Sequence, residues 1–221
     1  MIALAAVFAS AWLGLGTIKL GAAPAPGQVS FIDGDVTVDG RDAQVGQAIR
    51  RGATVRTGPS SSCEITWGTQ NIIQVQESTI AVIDVGSLTP GVRLTAGAVA
   101  AVLNRVDAIS SRGSFRVRTP SAVAGVRGTV FFVKVEDARN TYLCACFGKL
   151  AVTPGLAARV ELESTNHQAR RFTRSGLATR VAPAGLLYHD STSMGKLASR
   201  IGYTVPWGEG SGYGGSGGYG Y

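Results

Sequence analysis

The 221-residue chain is 45% hydrophobic and carries a formal net charge of +7, a composition that suits one medium-sized domain with a real core. Its positive charge is arginine, 17 residues against 4 lysines, spread along the sequence rather than gathered in a block. A basic surface is therefore expected without a single nucleic-acid patch; zinc-finger spacing, an RNA-binding sheet signature and a basic helix with heptads are all missing, so nucleic acid is set aside as a partner.

The first segment, MIALAAVFASAWLGLGTI, has no charged side chain before Lys19. As a helix, Ile2 to Ile18 would span about 25 Å at about 1.5 Å per residue, slightly short of a hydrocarbon core of about 30 Å. Residues 1–23 are expected to be a transmembrane anchor, or alternatively a signal peptide cleaved near the small residues Gly21, Ala22, Ala23 and Ala25. The basic n-region that a signal peptide usually carries is missing, which favours the anchor. Either way the remainder is exported, held at the far side of the membrane by the anchor or free after cleavage. With three cysteines, such an exported fold does not rest on a disulfide framework, and at least one thiol stays unpaired.

From Gln28 to about Thr153 short alternating runs are separated by glycine turns, beginning with QVSFIDGDVTVDG, which reads as strand, Asp-Gly turn, strand. The rhythm continues through ATVRTG, CEITWG, NIIQVQ, IAVIDV, GVRLTAGAVAAVL, SFRVRTP, GTVFFVKVE and TYLCACFGKLAVTP. About ten short strands make an all-β roll, sandwich or irregular solenoid, and no helix-length segments intervene to build a parallel α/β fold. Gly97, Gly128 with Thr129, and Gly148 sit where the chain must turn, and Gly128 is expected to be the least replaceable. Asp33, Asp35 and Asp39 cluster in the first hairpin, where turn chemistry explains them better than catalysis or calcium.

Beyond Pro154 the pattern loosens. ARVELES and RRFTRSG read as further strands, and STSMGKLASRIG places Met194, Leu197 and Ile201 at helical spacing behind hydroxyl caps. The organisation is thus 1–23 anchor or signal, 27–154 β domain, 155–206 extension packed on it, and 207–221 tail. The tail, GEGSGYGGSGGYGY after Trp207, has little to bury, and Trp207, Tyr213, Tyr219 and Tyr221 are candidates for docking into a partner. GGSGG at 214–218 matches a nucleophile elbow only as a string, since no strand-turn-helix surrounds it.

The residues from about Gly27 to Pro154 resemble the FecR domain, an extracytoplasmic β-rich module of signalling proteins. GQVSFIDGDVTVDG, VGQAIRRGATVRTGPSSSCEITWGTQNIIQVQESTIAVI, GVRLTAGAVAAVLNR and SFRVRTPSAVAGVRGTVFFVKVE carry the likeness. Beyond it, the chain resembles a proteobacterial subgroup with a C-x-C strand and downstream histidines, here Cys144, Cys146, His167 and His189 followed by Asp190. Signalling FecR regulators carry a cytoplasmic sigma-binding domain before the membrane helix; none precedes the apolar segment here, so direct anti-sigma activity is not expected.

In a strand, Cys144 and Cys146 point to one face with Cα atoms roughly 6.6 Å apart. A disulfide favours about 5.5 to 6 Å and would need strain or a bulge. Three readings stand: small buried thiols, a metal held by Cys144, Cys146, His167 and His189, or a strained disulfide. His189 has a further option in pairing with Asp190 or capping the next helix, and His167 in being a surface residue. Cys63 alternates with Ile65 and Trp67 and reads as core.

These features favour a non-enzymatic, membrane-anchored binding or scaffolding subunit of an envelope complex, without a cofactor or small-molecule substrate and with other membrane or envelope proteins as partners. The alternatives are a metal- or redox-active periplasmic protein using zinc or another transition metal, and an extracytoplasmic signalling sensor.

Overall fold

The computed structural model describes residues 27–84, 90–110 and 112–208. Sixteen strands and one α-helix are assigned among them. In chain order the strands are β1 (Gly27–Asp33), β2 (Val36–Val38), β3 (Arg41–Asp42), β4 (Ala48–Ile49), β5 (Ala53–Thr57), β6 (Ser62–Trp67), β7 (Asn71–Val75) and β8 (Ile80–Asp84). There follow β9 (Gly91–Leu103), β10 (Phe115–Arg118), β11 (Val123–Val126), β12 (Thr129–Val135), β13 (Asn140–Thr153), β14 (Val160–Ser164), β15 (Gln168–Ser175), β16 (Ala178–Ala184) and the helix α1 (Ser191–Ser199). The fold is all-β, as the alternation implies. More strands occur than the ten expected, because two-residue bridges such as β3 and β4 lack a readable period and the extension adds three. Among the described residues no helix is long and apolar enough to cross a membrane; the expected anchor at 1–23 lies outside them.

The strands form two layers joined by two long strands that belong to both. In β9, Gly91 to Ala96 pairs with β8 and β10, and Gly97 to Leu103 pairs with β7 and β12. In β13, Thr141 to Phe147 pairs with β12, and Gly148 to Val152 pairs with β14. Each change of partner falls at a glycine with positive φ, +78° at Gly97 and +95° at Gly148, a conformation costly for a residue with a Cβ. Gly97 is the tighter: a Cβ there would collide with Thr79 Oγ1 and lie 2.5 Å from Thr79 Cα. Gly128 has φ +58° but open space around it, so the least replaceable glycine is Gly97, because it meets backbone as well as the dihedral constraint. The expected first hairpin does not form, since β1 pairs with β4 and β6 while β2 pairs with β3 and β5; the two-residue turn is Asp39–Gly40 between β2 and β3, where the Asp39 Oδ1 accepts the Thr54 amide at 2.8 Å.

Between the layers lies the main core, including Trp67, Ile73, Leu94, Phe115, Phe131, Leu143 and Leu150. A second cluster covers the opposite face of the layer containing β7, β9, β12, β13 and β15. There Ile72, Val102, Phe132, Tyr142, Cys144 and Cys146 meet Met194, Leu197 and Ala198 of α1. The alternation of β13 explains the division, with Leu143 and Ala145 in the first cluster and Tyr142, Cys144 and Cys146 in the second. Unbroken alternation would put Phe147 on the side of Leu143, but it packs on the second cluster, because a bulge resets the alternation. The cysteine-bearing face is thus a second apolar interior covered by the extension, which also supplies β14 and β15 as neighbours of β13.

Candidate metal centre

The bulge is centred on Cys146. Phe131 pairs with Ala145 and Val130 with Phe147, leaving Cys146 with no residue opposite. Such an insertion bends the strand and redirects a side chain. The Cys146 carbonyl accepts the His167 amide at 3.0 Å, and His167 lies in the turn between β14 and β15 with φ +55°. Histidine tolerates that left-handed conformation better than most residues. Its ring is thereby delivered to the cysteine strand, with Nδ1 3.7 Å from Cys144 Sγ.

His189 arrives from the other side. It precedes Asp190, whose side chain caps α1 by accepting the Ser193 amide at 2.7 Å while Ser193 Oγ accepts the Asp190 amide at 3.0 Å. The helix cap is therefore Asp190, which leaves the His189 ring free to place Nε2 3.3 Å from Cys146 Sγ. Four potential ligand atoms, one each from Cys144, Cys146, His167 and His189, all lie within 4.8 Å of one another.

The spacing suits a tetrahedral ion. Bonds of about 2.3 Å to sulfur and about 2.0 Å to nitrogen at tetrahedral angles put sulfur and nitrogen ligands about 3.5 Å apart, between the two observed separations. Surrounding groups orient both rings. His189 Nδ1 donates to the Leu187 carbonyl at 2.8 Å, so Nε2 carries the free lone pair. His167 Nε2 lies 2.9 Å from Ser191 Oγ, the second partner that a ligating imidazole commonly has. Phe132 stacks on His189 at 4.4 Å and 9°, and Trp207 on His167 at 5.2 Å and 16°.

Both sulfurs are fully buried, and all three cysteines are free thiols. A hydrogen bond from Cys146, aided by the two imidazoles, holds the Cys144 thiol well below its ordinary range. Burial pushes Cys146 well above it. The pocket thus favours one thiolate and opposes a second, an opposition that a divalent cation would cancel. Cys63 sits alone in the main core on β6, raised to about 12 by burial, which makes it inert.

Residue types and order pointed to this set, but the ring supports were not foreseen. Phe132 joins only through its pairing with Cys144, and Ser191 only through the turn into α1. Trp207, expected to dock into a partner, packs inward over His167; Tyr213, Tyr219 and Tyr221 lie outside the described residues.

Residues 53–147 match the family described as FecR protein. Over those residues, from β5 into β13, the chain is similar to FecR proteins. That match ends one residue past the cysteine pair, so Cys144 and Cys146 stand on the last matched strand while both histidines come from beyond it. Two crystal structures, at 1.65 Å and 2.50 Å resolution, of a candidate anti-sigma factor from Parabacteroides distasonis are similar to the chain at 15% identity and a TM-score of 0.48. Each match covers 59% of this chain and 59% of the other. A comparison with curated proteins returned no match.

Proposed function

We propose that this FecR-like protein is a non-enzymatic, extracytoplasmic binding module in which a zinc-type ion clasps the C-terminal extension onto the β domain. The convergence of two thiols and two imidazoles within 4.8 Å carries this reading. With four protein ligands and no position left for water or substrate, such a centre is structural rather than catalytic. Cys144 and Cys146 would hold the ion from the sheet of the β domain, His167 and His189 from the extension. The metal would supply folding energy, and the chain's own residues orient the rings and exclude water. The assembled module would serve as a binding or scaffolding subunit of an envelope complex, held to the membrane by residues 1–23. The FecR match equally supports a part in extracytoplasmic signalling, with a separate membrane protein relaying the signal.

Metal analysis of natively purified protein tests the clasp. One zinc per chain, lost in Cys144→Ser and in His189→Ala, is expected; equal and negligible metal in all three would remove it. Detergent extraction tests the scaffold, which predicts co-purification with other envelope proteins, whereas recovery as a lone soluble monomer without residues 1–23 would contradict it.

A further inference from the structure

On the outer face of the other layer, far from the cysteines in sequence, arginines from three separate segments converge. Arg51 precedes β5, Arg93 stands on β9, and Arg116 and Arg118 on β10, together lining a concavity of about 460 Å³ with Gly52, Val82, Asp84, Gly91 and Val92. In the parallel pairing of β9 with β10, Arg93 is directly opposite Arg118, and Arg116 is opposite Gly91. Like charges placed opposite one another across a sheet repel. The pairing at Gly91 is also close, since a Cβ there would collide with the Arg116 carbonyl; the basin is lined by backbone at that point.

Little inside the protein neutralises this charge. Arg51 alone of the four has a carboxylate within reach, Asp84 at 3.5 Å, among the described residues. Residues 85–89, VGSLT, carry no charge, and Glu209 is the sole acidic residue outside the described segments. By contrast, Arg105, Arg159 and Arg171 are each paired with a carboxylate at 3.2 Å or less. Converging guanidinium groups in a concave site focus the field for an anion and match phosphate oxygens two at a time. Asp84 adds a second requirement. Its Oδ1 is buried beside Arg51 Nε at 3.5 Å, but the side chain as a whole is 44% exposed, which leaves the second carboxylate oxygen as an acceptor for a ligand hydroxyl. No aromatic ring lines the basin, so a nucleobase would find no stacking surface.

We propose that this basin binds a sugar bearing two phosphate groups, with Arg93, Arg116 and Arg118 on the phosphates and Asp84 accepting a sugar hydroxyl. The site is independent of the metal centre, and its ligand is either a free sugar bisphosphate or the head group of a phosphorylated glycolipid.

Calorimetric titration of the full chain in detergent with fructose 1,6-bisphosphate at low salt tests the proposal, with fructose, pyrophosphate and sulfate as comparisons. Saturation at one per chain is expected, weakened at least tenfold in Arg93→Gln/Arg118→Gln. Asp84→Asn should weaken fructose 1,6-bisphosphate and leave pyrophosphate unchanged. Circular dichroism and metal content of the variants should match the parent, which separates a failure here from a failure of the clasp. Displacement by micelles doped with a bisphosphorylated disaccharide lipid, at lower concentration than the free sugar, would assign the glycolipid source; stronger binding of the free sugar would assign the soluble one. Absence of saturable binding, affinity equal to that for sulfate (an adventitious ion only), or indifference to the double substitution would overturn the proposal.

Discussion

Cys146 Sγ and His189 Nε2 lie 3.3 Å apart although 43 residues separate them in the chain. The contact joins the bulged strand β13 to the segment entering α1, just as the contact between Cys144 and His167 joins it to the turn before β15. A metal at this crossing would hold two separate parts of the extension to the sheet of the β domain. Chelation should therefore loosen residues 185–208 first. Hydrogen exchange is expected to accelerate there after treatment with a strong chelator while β6 and β7 stay protected. The melting temperature should fall by about 10 °C, taking about 2–4 °C per kcal/mol for a chain of this size. Uniform acceleration across the whole domain would contradict a local clasp.

Trp207 provides an optical reporter of the same event. Its ring lies over His167 and against the second cluster, whereas Trp67 is buried in the main core. Metal removal should shift part of the tryptophan emission to longer wavelength, and Trp207→Phe should abolish that change. A shift that persists in Trp207→Phe would mean that the main core is loosening.

Replacing Gly97 tests the two-layer architecture. Gly97→Ala must adopt a positive φ and push a methyl into Thr79, whose Oγ1 also accepts the Ala98 amide at 2.9 Å. A loss of roughly 3 kcal/mol or more is expected from strain plus overpacking. Gly128→Ala meets open space and should cost only about 1–2 kcal/mol, the dihedral penalty alone. Denaturant midpoints at constant slope would rank them, and equal losses would contradict the assignment of Gly97 as the tighter corner.

Acid should weaken one junction of the extension with the β domain. Arg171 donates to both oxygens of Glu136 at 2.7 Å, and Tyr188 Oη donates to the same carboxylate at 2.7 Å. The Arg171 hydrogen bonds, seconded by Tyr188, hold the Glu136 carboxyl below its ordinary value of 4.5. Because the folded value is depressed, the stabilisation is fully present above about pH 4.5 and is lost as pH falls through the lower folded value. Arg171 is 40% exposed, so solvent screening limits the contribution to about 1 kcal/mol. Glu136→Gln should flatten this part of the stability profile, read as denaturant midpoints between pH 3 and 6; an unchanged profile would remove the junction from the account.

The alternation of residues 28–153 made the all-β class legible, because a period of two on a half-buried sheet leaves a direct trace in the sequence. Division into two layers was not legible. It depends on β9 and β13 each serving both, and a glycine inside a strand run looks the same whether it ends a strand or bends it. For the metal centre, the ligand types and order could be read, but not their convergence: the bulge at Cys146 is set by the pairing of β12 with β13. The arginine basin was invisible for the same reason. Arg51, Arg93, Arg116 and Arg118 look dispersed along the chain until β9 and β10 pair in parallel.

X-ray absorption at the zinc edge of natively purified protein tests the central claim most directly. The account predicts a four-coordinate shell with two sulfurs at about 2.3 Å and two nitrogens at about 2.0 Å, converted to a shell with one sulfur in Cys146→Ser. A shell of oxygen and nitrogen alone, or one unchanged by that substitution, would contradict it.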